Sequence, residues 1–412
     1  MAKAVSLALA LLLGTSAGVR AEPEFLISFW FGPPKAETTL KRYQEIADGG
    51  FTAVLPPAYG SDVATNKKIL DLCKQTGLKA FVEDGRLLAK QPNAADFARN
   101  LDAVLADYAA HPALAGYFLT DEPGAGQFPQ LAAVNQYLRK KDPRRVPFIN
   151  LLPNYASADQ LGTRTYDEHV GRFITSVRPA LVSWDHYALL ANSERPNYFE
   201  NLEIVRRQTA KAGLPFVQII LSVPHLFYRD PTEAELRWQV FTTLAYGAKG
   251  VLYFTYWTPY GAEEKQQGFR NAIIGADGKR TPKYDQVKRL NARVKALAPT
   301  LLKLRSLAAY HTAPVPQGAQ KLDPQGPVAR AAGGEWLIGW LRDDQNDYLF
   351  VVNRSLKNKG VAEITLARPA REVDEIAQDK PGQVKKAQFD PAKGRLQTAL
   401  EAGAGKLFVV RR

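Results

Sequence analysis

HPALAGYFLTDEPGAG, residues 111 to 126, is the stretch whose reading decides the fold. An apolar run from Leu114 to Leu119 ends abruptly in Thr120-Asp121-Glu122-Pro123 and then in Gly124 and Gly126. This is the pattern of a buried strand that delivers two adjacent carboxyls to its C-terminal end. Alternating β/α proteins gather their chemistry at that end. The alternative is a helix N-cap, because Asp and Pro both occur just before helices; it accounts for Asp121 better than for Glu122, since Glu caps poorly.

Outward from this stretch, apolar runs of strand length alternate with amphipathic segments of helical period. On the N-terminal side the runs are Phe25 to Phe31, Phe51 to Leu55 and Ala80 to Val82; on the C-terminal side they are Pro147 to Leu152, Leu181 to Trp184, Phe216 to Leu221 and Val251 to Thr255. The segment after the central strand places Phe128, Leu131, Val134 and Leu138 on one face, and the last keeps Tyr284, Val287, Leu290, Val294 and Leu297 in phase. Eight strands, each followed by a helix, over about 280 residues have the rhythm of a (β/α)8 TIM barrel. An open doubly wound sheet gives no reason for polar and aromatic clusters after nearly every strand.

Beyond Leu304 the period changes to two. Glu335 to Leu341, Tyr348 to Val352, Val361 to Leu366 and Leu407 to Val410 are separated by Gly, Asp, Asn and Pro clusters, which predicts a small C-terminal antiparallel β-sandwich. Trp336 and Trp340 lie four apart on one strand face and are expected in its core rather than as a carbohydrate platform. The division is thus residues 1–21, 22–305 for the barrel, and 306–412 for the sandwich.

Residues 1–21 read as a signal peptide. Lys3 precedes an apolar run from Ala4 to Leu13, and Val19-Arg20-Ala21 suits cleavage before Glu22, so the mature chain is expected in the periplasm or secreted. That run is too short to span a bilayer and no later stretch approaches 18 apolar residues, so no membrane insertion is expected. The 412 residues are 46% hydrophobic and 23% charged, which excludes a disordered chain. Cys73 is the only cysteine, which rules out an intramolecular disulfide and a cysteine metal site; its apolar helical setting makes it a core residue. The net charge of +13, or +11 once Lys3 and Arg20 leave with the signal, favours acidic partners. Lys and Arg are dispersed without a basic block, which argues against nucleic acid and leaves anionic polysaccharide or cell-envelope material. Neither a His-x-His nor a His-Glu-x-x-His pair, a Gly-x-Ser-x-Gly elbow nor a Gly-rich phosphate loop is present, so no metal, serine nucleophile or cofactor is expected.

The strand ends collect Trp30, Tyr59, Glu83, Asp84, Asp121, Glu122, Asn154, Tyr155, Asp185, His186, Tyr187, Gln218, His225, Tyr228, Tyr256 and Trp257. Carboxyls among flat aromatics suit a poly- or oligosaccharide substrate, whose apolar ring faces stack while its hydroxyls bond to carboxylates and amides. Cleaving a glycosidic bond needs one acid to protonate the leaving oxygen and a second carboxylate as nucleophile or as base towards water. Glu122 is the best acid and Asp185 the best second carboxylate. Trp30, Tyr59, Glu83, Asp121, Asn154, His186, Tyr187 and Gln218 are expected to bind substrate, with Tyr256 and Trp257 as the stacking platform. Structural readings stand beside these: Asp185-His186-Tyr187 as a hydrogen-bonded rim, Glu83 and Asp84 paired with Arg86, and Glu233 with Glu235 capping a helix behind Thr232.

Several of these pieces carry a resemblance. YFLTDEP, VSWDHY, PTEAELRWQVFTTLAYGAKGVLYFTYW and GADGKRTPKYDQVKRLN together resemble clan A of the (β/α)8 glycoside hydrolases, most of all its β-galactosidase-like and uncharacterised bacterial members, over roughly residues 25 to 305. The resemblance implies that Glu122 is the acid/base. The clan more often has Asn where Asp121 stands, and it places a nucleophilic Glu at strand seven, where Phe216 to Ser222 holds no carboxyl. Two functions follow: an exported glycoside hydrolase using Glu122 with Asp185, or a non-catalytic glycan-binding protein on a degenerate barrel. Two strand steps of about 4.8 Å separate Asp185 from strand four, so a wide, inverting spacing is expected, with Asp185 as base towards water and His186 orienting.

Overall fold

The computed structural model describes residues 25–57, 59–89 and 94–412; the expected signal at 1–21 lies outside them. Eight parallel strands form the first sheet: β1 (Leu26–Trp30), β2 (Ala53–Val54), β3 (Lys79–Glu83), β4 (Leu114–Asp121), β5 (Val146–Leu151), β6 (Val182–Asp185), β7 (Phe216–Leu221) and β8 (Gly250–Phe254). Neighbours run β1-β8-β7-β6-β5-β4-β3-β2. Between β1 and β2 the ring is closed by Thr52, whose N–H donates to the Ile27 carbonyl (2.8 Å) and whose Oγ1 accepts from the Ile27 N–H (2.9 Å). The fold is a (β/α)8 barrel, with strand positions within a residue or two of those expected.

Alternation along the strands divides the core. Leu55, Phe81, Phe148, Val217, Ile219 and Leu252 fill the barrel interior, while Ile27, Phe29, Val82 and Ile220 belong to the larger cluster shared with the helices. Helix Phe128–Lys141 buries Phe128, Leu131, Val134 and Leu138, and helix Pro282–Leu301 buries Tyr284, Val287, Leu290, Val294 and Leu297, as their period required. Helix Glu233–Ala245 starts with a capping box of Thr232 and Glu235, and Arg229 pairs with Glu235, which leaves these acids structural. Cys73 is fully buried, and burial pushes its thiol upward, so it is an inert core group.

The C-terminal part is a sandwich. One sheet has seven strands, in the order β10-β9-β12-β13-β19-β15-β16, and the other has four, β11-β14-β18-β17. Their ranges are β9 (Arg305–His311), β10 (Gln320–Lys321), β11 (Val328–Ala332), β12 (Trp336–Arg342), β13 (Asp347–Asn353), β14 (Gly360–Leu366), β15 (Glu372–Ile376), β16 (Val384–Lys386), β17 (Gln388–Asp390), β18 (Arg395–Leu400) and β19 (Gly405–Arg411). Trp336 lies in the core between the sheets. Trp340, expected beside it, is half-buried at the edge, its indole N–H donating to Asp347 Oδ1 (2.9 Å). The outer face of the larger sheet lies on helix Glu233–Ala245. A Cβ on Gly339 would stand 2.0 Å from the Ala245 carbonyl oxygen, so glycine permits this approach. Among the described residues no helix is long and apolar enough to cross a membrane.

Candidate active site

β4 and β5 set the centre of the site. A Cβ on Gly116 would lie 1.9 Å from the Val146 carbonyl oxygen, so glycine is what lets the two strands pair. Further along, the register shifts between Phe118 and Thr120, and Asp121 becomes the partner of Asn150. Such an irregularity re-aims the side chains beyond it. Here it puts Asp121 on the same side as Phe118 and Asn150, where strict alternation would have turned it away. Glu122 follows in the left-handed conformation, φ 47°, with its N–H donating to the Asn150 carbonyl (2.8 Å). Strain at a non-glycine residue of this kind is concentrated at functional positions.

Asn150 ties three strands together. Its Nδ2 donates to Asp121 Oδ1 (3.0 Å) and to Asp185 Oδ2 (2.9 Å), and its Oδ1 accepts from Ser183 Oγ (3.0 Å). Asp185, at the end of β6, is only 5% exposed and lies beside Glu122, whose charge acts on its carboxyl. Two carboxyls side by side away from water disfavour each other's charge, so one of them tends to keep its proton. Asp185 Oδ1 is closed off from water and accepts no hydrogen bond among the described residues, which favours the protonated carboxyl.

The electrostatics follow from the crowding. Among the described residues, no Lys or Arg forms an ion pair with Asp121, Glu122 or Asp185. Burial raises Glu122 to about 7, reinforced by the Asp121 charge. Burial raises Asp121 to about 6, opposed by Asn150 and by the Glu122 N–H. Asp185 is held well above the usual carboxylate range by burial and by both neighbouring carboxyls. Asp121 and Glu122 are reached by solvent, yet stand in a concave mouth where protein displaces most of their hydration.

Aromatic rings surround this cluster. Trp30 meets Phe118 edge-on at 5.3 Å, and Phe254, at the end of β8, lies 5.0 Å from Tyr187 and 5.4 Å from His225. Arg195 lies over the Tyr155 ring at 3.9 Å and donates to Tyr228 Oη (3.0 Å) and the Tyr187 carbonyl (3.2 Å). Tyr59, half exposed on the rim, accepts the N–H groups of Tyr260 and Gly261 on its hydroxyl, each at 2.8 Å. Glu83, two residues beyond the inward Phe81, is half-buried, and burial raises its carboxyl; Asp84 instead pairs with Arg86 and accepts from Tyr108.

The structure thus brings Asp121, Glu122 and Asp185 together, with Trp30, Tyr187, Glu83 and Tyr59 around the mouth. Five expected substrate-binding residues lie elsewhere. Gln218 points outward from β7 and accepts from Thr243 on helix Glu233–Ala245. Asn154 is bound to helix Tyr198–Ala212, its N–H donating to Asn201 Oδ1 (2.8 Å) and its Nδ2 to the Asn197 carbonyl (3.1 Å). His186 is fully buried between Tyr155 and Tyr198, and burial with the nearby Arg195 charge brings it down to about 3, so it is a neutral packing group. Tyr256 is fully buried, stacked on Phe29 at 4.4 Å, and Trp257 is 2% exposed beneath Arg42. Since Phe29 faces the helices, both rings lie behind the barrel wall and offer no face to a sugar. β8 ends one residue earlier than expected, and Phe254 is the ring turned to the mouth.

A wide spacing was expected between Glu122 and Asp185; the structure shows one Asn150 amide reaching both Asp121 (3.0 Å) and Asp185 (2.9 Å), which crowds the carboxyls of β4 and β6. Asn150 itself escaped the sequence reading. Its signal is a polar residue in the inward phase of an apolar strand, two positions after Phe148.

No known protein-family profile matches this chain, and no curated protein matches it. Solved structures do share its fold. The β-galactosidase from Bacillus circulans sp. alkalophilus is 10% identical, with a TM-score of 0.61 over 94% of this chain and 99% of that one. A glycoside hydrolase family 5 protein from Bacteroides vulgatus is 14% identical, with a TM-score of 0.58 over 94% and 89%. The β-galactosidase from the psychrophilic Marinomonas ef1 is 14% identical, with a TM-score of 0.51; the match covers 68% of this chain and 62% of that one. The fold is therefore the (β/α)8 barrel, with appended β-structure, found in these glycoside hydrolases.

Proposed function

We propose that this chain is an exported glycoside hydrolase that acts on a poly- or oligosaccharide, with Glu122 as the proton donor. The observation that carries the reading is the gathering of three carboxyls at the barrel mouth, where one Asn150 amide bridges Asp121 and Asp185 beside Glu122 and no Lys or Arg among the described residues pairs with them. Glu122 is reached by solvent and ionises near neutrality, so it can hold a proton at working pH and release it to a leaving oxygen. Asp185 is covered from solvent, and its Oδ2 is taken by Asn150. Its burial and raised proton affinity suit a residue that positions Glu122 better than a base towards water. Asp121 ionises first of the three and supplies negative charge beside an oxocarbenium-like transition state. Export rests on residues 1–21 alone.

The glycan-binding alternative keeps one supporting observation: β7, where the resembling clan has its nucleophile, presents Val217 and Ile219 inward and no carboxyl. Reducing-end release from a polysaccharide panel separates the two. Turnover that disappears in Glu122→Gln supports the hydrolase; saturable glycan binding without turnover supports the binding protein.

A further inference from the structure

One end of the seven-stranded sheet carries arginines on four strands. Arg305 opens β9, Arg342 closes β12, Arg411 closes β19 with Arg412 after it, and Arg371 immediately precedes β15. The register sets them side by side: Arg342 pairs with Arg305 and with Asp347, Asp347 with Val410, and Glu372 with Arg411. Between them lies an open cavity of about 510 Å³. A second cavity of about 520 Å³ shares Arg371 and Arg411 and adds Lys386 and Phe389, so the two form one groove.

This groove is remote from Glu122. The Leu304 carbonyl, next to Arg305, accepts from Lys249, which immediately precedes β8, so the groove starts on the N-terminal side of the barrel, opposite the mouth.

The lining is only partly neutralised: Asp343, Asp344 and Glu372 also line it, Arg411 pairs with Asp374 (3.2 Å) and Lys386 reaches Glu372 (3.9 Å), which leaves Arg305 and Arg371 as the least engaged cations. Asp347, 6% exposed, is enclosed by Arg342, Arg412 and the Trp340 indole, and acts as a buried base plate that orders the guanidinium groups above it. Among the described residues, Arg371 makes only the bond from Nε to the Arg412 carbonyl, which leaves its terminal nitrogens unused. Among the described residues, the only ion pair of Arg305 is a 3.6 Å contact with the fully exposed Asp344.

We propose that this groove binds a polysaccharide bearing carboxylates, a uronate chain. The guanidinium fork matches a planar carboxylate bidentately, which a lysine patch would not do. Successive arginines across neighbouring strands suit a ligand with repeated charge, Phe389 adds an apolar face for a sugar ring, and the net positive charge, which stays positive without Lys3 and Arg20, draws such a chain in.

The test is binding of the full chain to polygalacturonate, measured by affinity electrophoresis beside dextran sulfate and a neutral galactan. Arg305 and Arg371 are exposed and outside the core, so the double variant R305E/R371E keeps the fold. Expected are saturable binding of polygalacturonate, none of galactan, a loss of about tenfold or more in R305E/R371E, and less than about a twofold change in K140E/R144E, which removes the same charge from another surface. The Glu122→Gln variant should bind as wild type does, which keeps this result separate from the hydrolase reading. Equal weakening in both double variants, no saturable binding, or binding of dextran sulfate without polygalacturonate overturns the proposal.

Discussion

Glu122 and Asp185 lie side by side, one at the solvent-facing mouth and the other beneath it, and the Glu122 charge helps to keep Asp185 protonated. They titrate as a unit rather than as two separate acids. Asp185→Asn keeps a donor towards Glu122 and an acceptor for Asn150. We expect its kcat/KM to stay within about tenfold of wild type, while Asp185→Leu, which keeps neither, falls by about 10²–10⁴ as Glu122 loses its place. A loss in Asp185→Asn as deep as that of Glu122→Gln would give Asp185 a direct chemical role.

Asp121 raises Glu122 by its charge. Removing a neighbouring negative charge makes a carboxyl easier to ionise, so Asp121→Asn should move the alkaline limb of kcat/KM from near pH 7 to lower pH. The pH profile of the two enzymes on one substrate checks this; a shift to higher pH contradicts the assignment.

The cluster also destabilises the fold. Asp121, Glu122 and Asp185 all keep their protons to higher pH folded than unfolded. The folded state therefore binds more protons than the unfolded chain between the ordinary carboxylate range and about pH 7, and stability falls as pH rises through that window. Glu122→Gln removes one such group. It should stabilise the protein at pH 8 by on the order of 1 kcal/mol, the full effect being cut by solvent screening at the mouth, and should gain little at pH 4. Thermal unfolding at the two pH values measures the difference, and an equal gain at both would argue against it.

Aromatic substitutions separate the mouth from the wall. Phe254→Ala should raise KM severalfold, since its ring faces Tyr187 and the cluster, whereas Tyr256→Phe should leave KM unchanged. A KM increase in Tyr256→Phe would return that ring to the site.

The barrel was legible because its strands are short apolar runs and its helices keep one apolar face. The sandwich was legible only where its strands are apolar: β16, with Val384, Lys385 and Lys386 all exposed, has no buried face to produce alternation. The strand-four carboxyls are legible as polar residues that close an apolar run. Tyr256 and Trp257 were misplaced because a strand-end aromatic reads the same whether it turns to the mouth or into the wall, and that choice depends on the ring of Phe29 across the sheet. Asn150 was missed because its role lies in two partners on other strands, Asp121 and Asp185, which no local pattern connects.

The central claim, that Glu122 is the proton donor of a glycosidase, is tested most directly by measuring reducing-end release from a polysaccharide panel by the purified wild-type chain and by Glu122→Gln side by side. The account predicts turnover of at least one glycan by wild type and a loss of about 10²–10⁴ in the Gln variant, with the fold intact by circular dichroism. Turnover in Glu122→Gln above about a tenth of wild type, or no turnover of any glycan by wild type while one is bound, would contradict it.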